Sequence, residues 1–239
     1  MSAINQGNVV ISINDRGIAT IEFSHPMSNS LPGKVLSKLA HTIKIAGFDD
    51  NIKVIILKSA GDRVFCAGAS FEELSNIEDL ENGKAFFSGF ANVINAARKC
   101  PKLIIGRVQG KAVGGGVGMA SAVDYCFATK FAAVKLSELA LGIGPFVVGP
   151  AVERKLGLSG MSQIAINANE FYTPEWAKEN GISQAAFEEL AGKVLSISQA
   201  EEEVHKASHA EEMNKLGERA QEKIGMAERL LSKAPLNNN

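Results

Sequence analysis

The chain has 239 residues, and at roughly 150 residues per domain this length fits one large domain, alone or with a helical appendage. Hydrophobic residues make up 46% and charged residues 21% of the chain, which argues against wholesale disorder. The net charge of -1 provides no general attraction to nucleic acid or to an anionic membrane.

Cysteine usage and hydropathy predict a cytoplasmic protein. Cys66, Cys100 and Cys126 form no CxxC pair, so we expect free thiols in a reducing compartment. The amino terminus lacks the basic-then-apolar pattern of a signal peptide. No apolar run approaches the roughly 18 residues of a membrane-spanning helix, so we expect no association with a membrane.

Strands and helices alternate along the first half of the chain, which predicts an α/β fold. The predicted elements, in chain order, are a hairpin of residues 9–13 and 18–23, a helix over Gly33–Phe48, a strand at 54–57 covered on both faces, a loop over 59–70, a helix over 83–99, a strand at Leu103–Val108, a small-residue helix over 117–122, and strands at Tyr125–Ala128 and 132–136. An apolar stripe predicts the first helix, and it consists of Val35, Leu36, Leu39, Ile43 and Ile45.

The chain from about residue 145 onward is predicted to be mostly helical. Residues 199–233 are charged and favour helix, as expected of a solvated appendage that packs through one stripe. His205 and His209 have a spacing that could hold a metal, but no third ligand is apparent in the sequence. We therefore predict no metal site.

Two glycine-rich turns follow buried strands, at residues 65–69 and 114–116. A turn from strand to helix leaves backbone N–H groups unpaired at the positive end of the helix dipole. Two such turns side by side would aim two donors at one oxygen, as in an oxyanion hole. Tight packing of strand against helix explains each turn alone equally well.

Glu138 is a carboxylate in apolar sequence surroundings, which are expected to raise its pKa. It is either a structural residue or a catalytic base. The apolar neighbours expected to raise its pKa are Leu136, Leu139, Leu141 and Phe146. Asp124, after the small-residue helix, is expected to make structural hydrogen bonds.

A series of motifs occurs in a fixed order along the chain. They are HPMSNSL at 25–31, FCAGAS at 65–70, VQGKAVGGG at 108–116, Asp124, SELALGI at 137–143 and EWAKENGI at 175–182. Together they resemble the crotonase family, the enoyl-CoA hydratase/isomerase superfamily, with its patterns xPxxNAL, FxAGxD, NGxAxGGG, CD, PExxLG and AxxxGLV. The resemblance covers roughly residues 8–185.

The resemblance implies a spiral of ββα units over residues 1–185 and a helical trimerisation region over 186–239, in a homotrimer or hexamer. It also implies an acyl-CoA thioester substrate, fatty acid metabolism, and no cofactor beyond the coenzyme A moiety. The oxyanion donors would be the N–H groups of Ala69 and Gly115. Contacts to coenzyme A and substrate would come from Cys66, Ala67, Gly68, Ser70 and Gly114.

One departure from the family pattern concerns the reaction. Family hydratases carry a second glutamate in GGGxE, whereas this chain has Gly118 there and retains only Glu138. The chain is therefore most similar to the single-glutamate 3,2-enoyl-CoA isomerases. The alternatives are a hydratase that recruits another carboxylate (Glu72, Glu73 or Asp124), an enzyme of other enolate chemistry such as decarboxylation, and an inactive acyl-CoA-binding protein. RNA binding through Lys34, Lys38 and Lys44 is disfavoured by the net charge.

Overall fold

The computed structural model describes residues 6–183, 185–186 and 218. The chain divides into two units, 1–188 and 189–239. The predicted helical region at 186–239, with His205 and His209, lies almost wholly outside the described residues, so it stays a prediction. No helix in the described part of the chain is long and apolar enough to cross a bilayer.

The strands of the described residues form three sheets. Their bounds are β1 Asn8–Ile13, β2 Ile18–Ser24, β3 Ser30–Leu31, β4 Val54–Ser59, β5 Val64–Cys66, β6 Gly68–Ala69, β7 Leu103–Val108, β8 Lys111–Val113, β9 Tyr125–Ala128, β10 Val134–Lys135 and β11 Ala185–Ala186. The large sheet has the order β1-β2-β4-β7-β9-β11, and apart from the antiparallel β1–β2 hairpin its neighbours are parallel. The two small sheets, β10-β8-β5 and β3-β6, are parallel.

Most helices of the described residues follow a run of two or three strands. They are α1 Gly33–Phe48, α2 Phe71–Ser75, α3 Leu80–Arg98, α4 Gly115–Ala122, α5 Gly149–Ile166 and α6 Pro174–Glu179. Each repeat places one strand in the large sheet and the next one or two in small sheets, and a helix follows, as in β7-β8-α4. This repetition confirms the predicted spiral of ββα units. Its helices pack in the sequence α1 on α3, α3 on α4, and α4 on α5.

Several local predictions needed correction. Residues 59–70 are not a loop, because they contain β5 and β6, and the sequence prediction also missed α2 and β8. The helix predicted from Gly83 begins at Leu80, because the Asp79 side chain accepts a hydrogen bond from Asn82 N–H and caps it. Strand β4 is fully buried on one face only. Ile45 is 57% exposed and lies outside the buried stripe of α1.

The core lies between the large sheet and the helices. Phe23 of β2 and Phe65 of β5 meet edge to face with ring centroids 5.3 Å apart, joining the large sheet to the small three-stranded one. All eight residues of α4 are buried, so its small side chains allow close packing against α3 and α5. This packing fixes the start of α4, where the second glycine-rich turn lies.

Candidate active site

A cavity of about 320 Å³ lies where β6, the start of α4 and the segment after β10 meet. One wall consists of apolar side chains from α2 and α3, namely Phe71, Leu74, Phe86, Phe87 and Phe90. The segment after Glu138 supplies further apolar residues, namely Leu141, Ile143, Pro145, Val147 and Val148. The polar side chains in the lining are Ser30, Ser137 and Glu138, as far as the described residues go. A largely apolar cavity with few polar groups is typical of a ligand site.

The backbone around Glu138 is a tight turn. Its carbonyl oxygen accepts hydrogen bonds from the N–H groups of Leu141 and Ile143, both at 3.0 Å. Gly142 ends the short 3-10 helix Leu139–Leu141 in the left-handed conformation, with φ 71°, which glycine adopts without strain. The turn therefore holds Glu138 at a fixed place in the cavity wall.

The carboxylate of Glu138 is half-buried and stands against the second glycine-rich turn. A β-carbon built on Gly114 would lie 3.1 Å from Glu138 Oε1. Oε2 is buried and has no hydrogen-bond partner among the described residues. Desolvation raises the pKa of Glu138, and hydrogen bonds with the backbone of Glu138 and Ser137 oppose that rise. An unpartnered carboxylate oxygen with a raised pKa is suited to accepting a proton from a ligand.

The apolar surroundings of Glu138 differ from those expected. Leu139 is 45% exposed and Phe146 is 85% exposed, and neither lines the cavity. Leu141 does line it, and Leu136 is buried in the core. The remaining apolar lining comes from residues that follow Leu141, such as Ile143 and Val148, and from distant residues such as Phe90.

The first candidate oxyanion donor is Gly115, the first residue of α4. The N–H of the preceding Gly114 donates to the Lys135 carbonyl oxygen at 2.9 Å, and Gly114 has φ 51°. The N–H of a first helical residue has no partner within its own helix. Gly115 lines the cavity, and a β-carbon there would lie 2.5 Å from Phe90 ring atoms, so the packing admits only glycine.

The second candidate donor is Ala69, at the end of β6. The Ser70 N–H donates to the Leu31 carbonyl oxygen of β3 at 3.2 Å. Successive N–H groups of a strand point to opposite sides, so the Ala69 N–H turns away from β3. Ala69 also lines the cavity, and its carbonyl oxygen accepts a hydrogen bond from Ser30 Oγ at 2.9 Å.

Apolar side chains fill the space beside Gly118. A β-carbon built on Gly118 would lie 2.7 Å from Val148 Cγ1 and 2.9 Å from Ile94 Cδ1. Gly118 itself is buried. A glutamate does not fit there without displacing both neighbours, so these two side chains occupy the space that a second acid would need.

The other predicted contact residues occupy two environments. Ala67, Gly68 and Gly114 line the cavity. The Cys66 side chain is buried beneath the first turn, where desolvation raises its pKa to about 12, and its sulfur accepts a hydrogen bond from Gly68 N–H at 3.4 Å. Ser70 caps α2 by accepting a hydrogen bond from Glu73 N–H. The side chains of Cys66 and Ser70 therefore do not face the cavity.

The carboxylates considered as a second acid lie elsewhere. Asp124 is exposed, and its Oδ2 accepts a hydrogen bond from Ile104 N–H at 2.8 Å, which is the structural role expected of it. Glu73 Oε2 accepts one from Gly33 N–H at 2.8 Å at the start of α1. Glu72, like these two, is absent from the cavity lining.

The aromatic side chains of the cavity were not singled out from the sequence. The signal that could have found them is the spacing of Phe86, Phe87 and Phe90, which share one side of a helix. The Asp79 cap fixes where that helix begins.

Comparison with known proteins identifies the family. The family model for enoyl-CoA hydratase/isomerase matches residues 14–234. The chain belongs to the enoyl-CoA hydratase/isomerase family. This finding confirms the resemblance to the crotonase superfamily. The fold agrees with solved enoyl-CoA hydratases from Mycobacterium smegmatis (TM-score 0.73, 22% identity, 80% of this chain and 75% of that one) and Bacillus anthracis (TM-score 0.72, 23% identity, 81% and 76%).

Curated relatives carry names of both reaction types. Enoyl-CoA hydratase AKT6-1 of Alternaria alternata is 27% identical over 80% of this chain and 63% of its own length. The mitochondrial methylglutaconyl-CoA hydratase of Homo sapiens is 30% identical over 64% of this chain and 46% of its own. Trans-2-decenoyl-[acyl-carrier-protein] isomerase of Streptococcus mutans is 25% identical over 70% and 65%. The chain spans about half to two thirds of the length of the relatives it matches.

Proposed function

We propose that this family member is a Δ3,Δ2-enoyl-CoA isomerase in which Glu138 carries the proton. The observation that carries the proposal is the contrast between Glu138, which lines the cavity and has a buried Oε2 without a partner among the described residues, and Gly118, which lies outside the cavity lining and is packed against Val148 and Ile94. Addition of water needs a second group to hold that water, whereas moving a double bond needs one acid-base group.

The proposed reaction has two proton transfers. The Glu138 carboxylate takes a proton from C2 of a 3-enoyl thioester, and the C–H electron pair moves into the conjugated system as a dienolate. The negative charge on the thioester oxygen is stabilised by the N–H groups of Ala69 and Gly115, each of which lines the cavity. Protonated Glu138 then returns the proton to C4, which leaves the double bond between C2 and C3.

The substrate would be an acyl-CoA thioester, with no further cofactor. A homotrimer or hexamer and a cytoplasmic location stay predictions. The hydratase alternative is weakened because Glu72, Glu73 and Asp124 are absent from the cavity lining. If the protein only bound acyl-CoA, Oε2 of Glu138, which is buried without a hydrogen-bond partner among the described residues, would have no function.

The test follows trans-3-hexenoyl-CoA and trans-2-hexenoyl-CoA by mass spectrometry in heavy-oxygen water. The proposal predicts conversion of the 3-enoyl to the 2-enoyl isomer without a gain in mass. A product heavier by one labelled water would show a hydratase and overturn the proposal. Tight binding of both thioesters, without isomerisation or exchange of the C2 proton, would indicate a binding protein.

A further inference from the structure

The side of the cavity formed by α3 is an aromatic wall, defined as Phe86, Phe87 and Phe90. The rings of Phe86 and Phe87 meet edge to face with centroids 5.2 Å apart, so each limits the movement of the other. Phe71 and Leu74 of α2 extend the same apolar surface. A ligand along this surface meets hydrocarbon and ring carbon.

The aromatic wall leads away from the reacting groups. Phe90 packs directly on Gly115, one of the two candidate oxyanion donors. Since a helix rises 1.5 Å per residue, Phe87 and Phe86 lie about 4.5 to 6 Å further along α3. The part of an acyl group beyond the reacting carbons would therefore run past Phe87 and Phe86.

Charge in the cavity is restricted to one group. Within the described ranges, Glu138 is the single ionisable residue of the lining. The Ser30 hydroxyl already donates its proton to the Ala69 carbonyl oxygen. A carboxylate at the far end of an acyl chain would lose water here without gaining a cation, and would add a second negative charge to the cavity that holds Glu138.

We propose that the cavity selects acyl groups that carry no charge, and that Phe87 sets this selectivity. The inference deepens the proposed function, because it rests on the cavity holding the acyl part of a thioester. It does not depend on which reaction follows. Phe87 is 39% exposed, so a long cationic side chain at that position can keep its stem in the wall and reach toward solvent.

The experiment measures dissociation constants by calorimetry for hexanoyl-CoA and for the mono-thioester adipoyl-CoA, which differ in a terminal methyl group against a carboxylate. We expect the wild-type protein to bind hexanoyl-CoA at least about 30-fold more tightly. Phe87→Arg should lower the ratio of the two dissociation constants about tenfold or more, because it improves the affinity for adipoyl-CoA.

Two control variants should leave this ratio unchanged. Phe87→Leu keeps the wall apolar. Phe48→Arg makes the same change at a 79% exposed position outside the cavity and should also keep it.

The outcomes separate this inference from the proposed function. The selectivity would be overturned if the wild-type dissociation constants for hexanoyl-CoA and adipoyl-CoA lay within threefold of each other, or if neither thioester bound. This holds for any result with Phe87→Arg. An unchanged ratio in folded Phe87→Arg would overturn the role of Phe87. Selective binding of hexanoyl-CoA by a protein that does not isomerise 3-hexenoyl-CoA would support the selectivity and overturn the isomerase.

Discussion

The two positions at which a family hydratase would carry an acid have different surroundings in this protein, since Glu138 lines the cavity and Gly118 lies outside its lining. At Glu138 the tight turn holds a carboxylate whose Oε2 is buried and unpartnered within the described structure. At Gly118 the helix α4 presents no side chain, and Val148 and Ile94 occupy the space beside it. One region keeps a group able to move a proton, and the other has become part of the apolar core.

Position 118 therefore lacks both an acid and the space for one, because Val148 and Ile94 lie against it. A bare glycine in an open cavity would leave room for a water molecule, which needs polar partners and volume. Here the volume is taken by a valine and an isoleucine, which offer no hydrogen bond. The arrangement therefore disfavours water at that point as well as removing the acid.

Removal of the Glu138 carboxylate should have the largest effect on activity. Glu138→Gln should lower kcat for 3-hexenoyl-CoA isomerisation by roughly 10²- to 10⁴-fold, the contribution typical of an acid-base group. Steady-state kinetics with the ultraviolet absorbance of the conjugated product would measure it. Glu153→Gln changes an exposed glutamate of α5 and is the matched control. Wild-type turnover in Glu138→Gln would refute the assignment of this residue.

The second region can be tested by adding the missing acid. Gly118→Glu should produce no hydration and should lower the free energy of unfolding by roughly 1–3 kcal/mol, because the new side chain collides with Val148 and Ile94. Combining Gly118→Glu with Val148→Ala and Ile94→Ala removes both collisions, and we expect incorporation of labelled water to appear in this triple variant.

Urea denaturation and heavy-oxygen labelling measure these two effects. Gly83→Glu in α3 is the control, since a β-carbon there makes only an ordinary contact at 3.5 Å with Ile77. Efficient hydration by the single variant Gly118→Glu would show that the space beside residue 118 is open to water after all.

The raised pKa of Glu138 predicts a pH dependence of stability. Between the ordinary value of 4.5 and the raised value, the folded chain holds a proton that the unfolded chain has released. The folded state then binds more protons, so this group makes stability fall as pH rises through that window. Glu138→Gln removes the effect.

The variant's stability relative to wild type should therefore grow from below pH 4.5 upward and level off above the raised pKa. Denaturant midpoints across this pH range would measure it, with Glu153→Gln showing the effect of losing a surface charge. A difference that shrinks with rising pH would contradict the desolvation of Glu138.

Local sequence patterns predicted the elements whose formation depends on residues close together in the chain. The first hairpin, the bounds of α1 and strands β7 and β9 follow from alternation, apolar stripes and turn residues. The two- and three-residue strands β3, β5, β6 and β8 were not predicted, because their pairing depends on distant chain segments. The motifs pointed to Glu138, Ala69 and Gly115. They could not reveal the packing at Gly118, since Ile94 and Val148 are 24 and 30 residues away in sequence.

The smallest expected effect on kcat comes from a change beside the oxyanion donors. Isomerisation and hydration would both need these donors, whichever acid is present. Ser30 stands where the family motif has alanine, and its hydroxyl fixes the carbonyl oxygen of Ala69 at 2.9 Å. Ser30→Ala removes one hydrogen bond from the β3–β6 pair and should lower kcat by about 2- to 10-fold with little change in KM. Ser30→Thr keeps the hydroxyl and should restore most of the rate.

Ser75→Ala, which removes a hydrogen bond to the Glu72 carbonyl oxygen outside the cavity, should leave kcat unchanged. If Ser30→Ala lowered stability without changing kcat, Ser30 would support the β3–β6 pair alone, and the Ala69 N–H would keep its orientation without it.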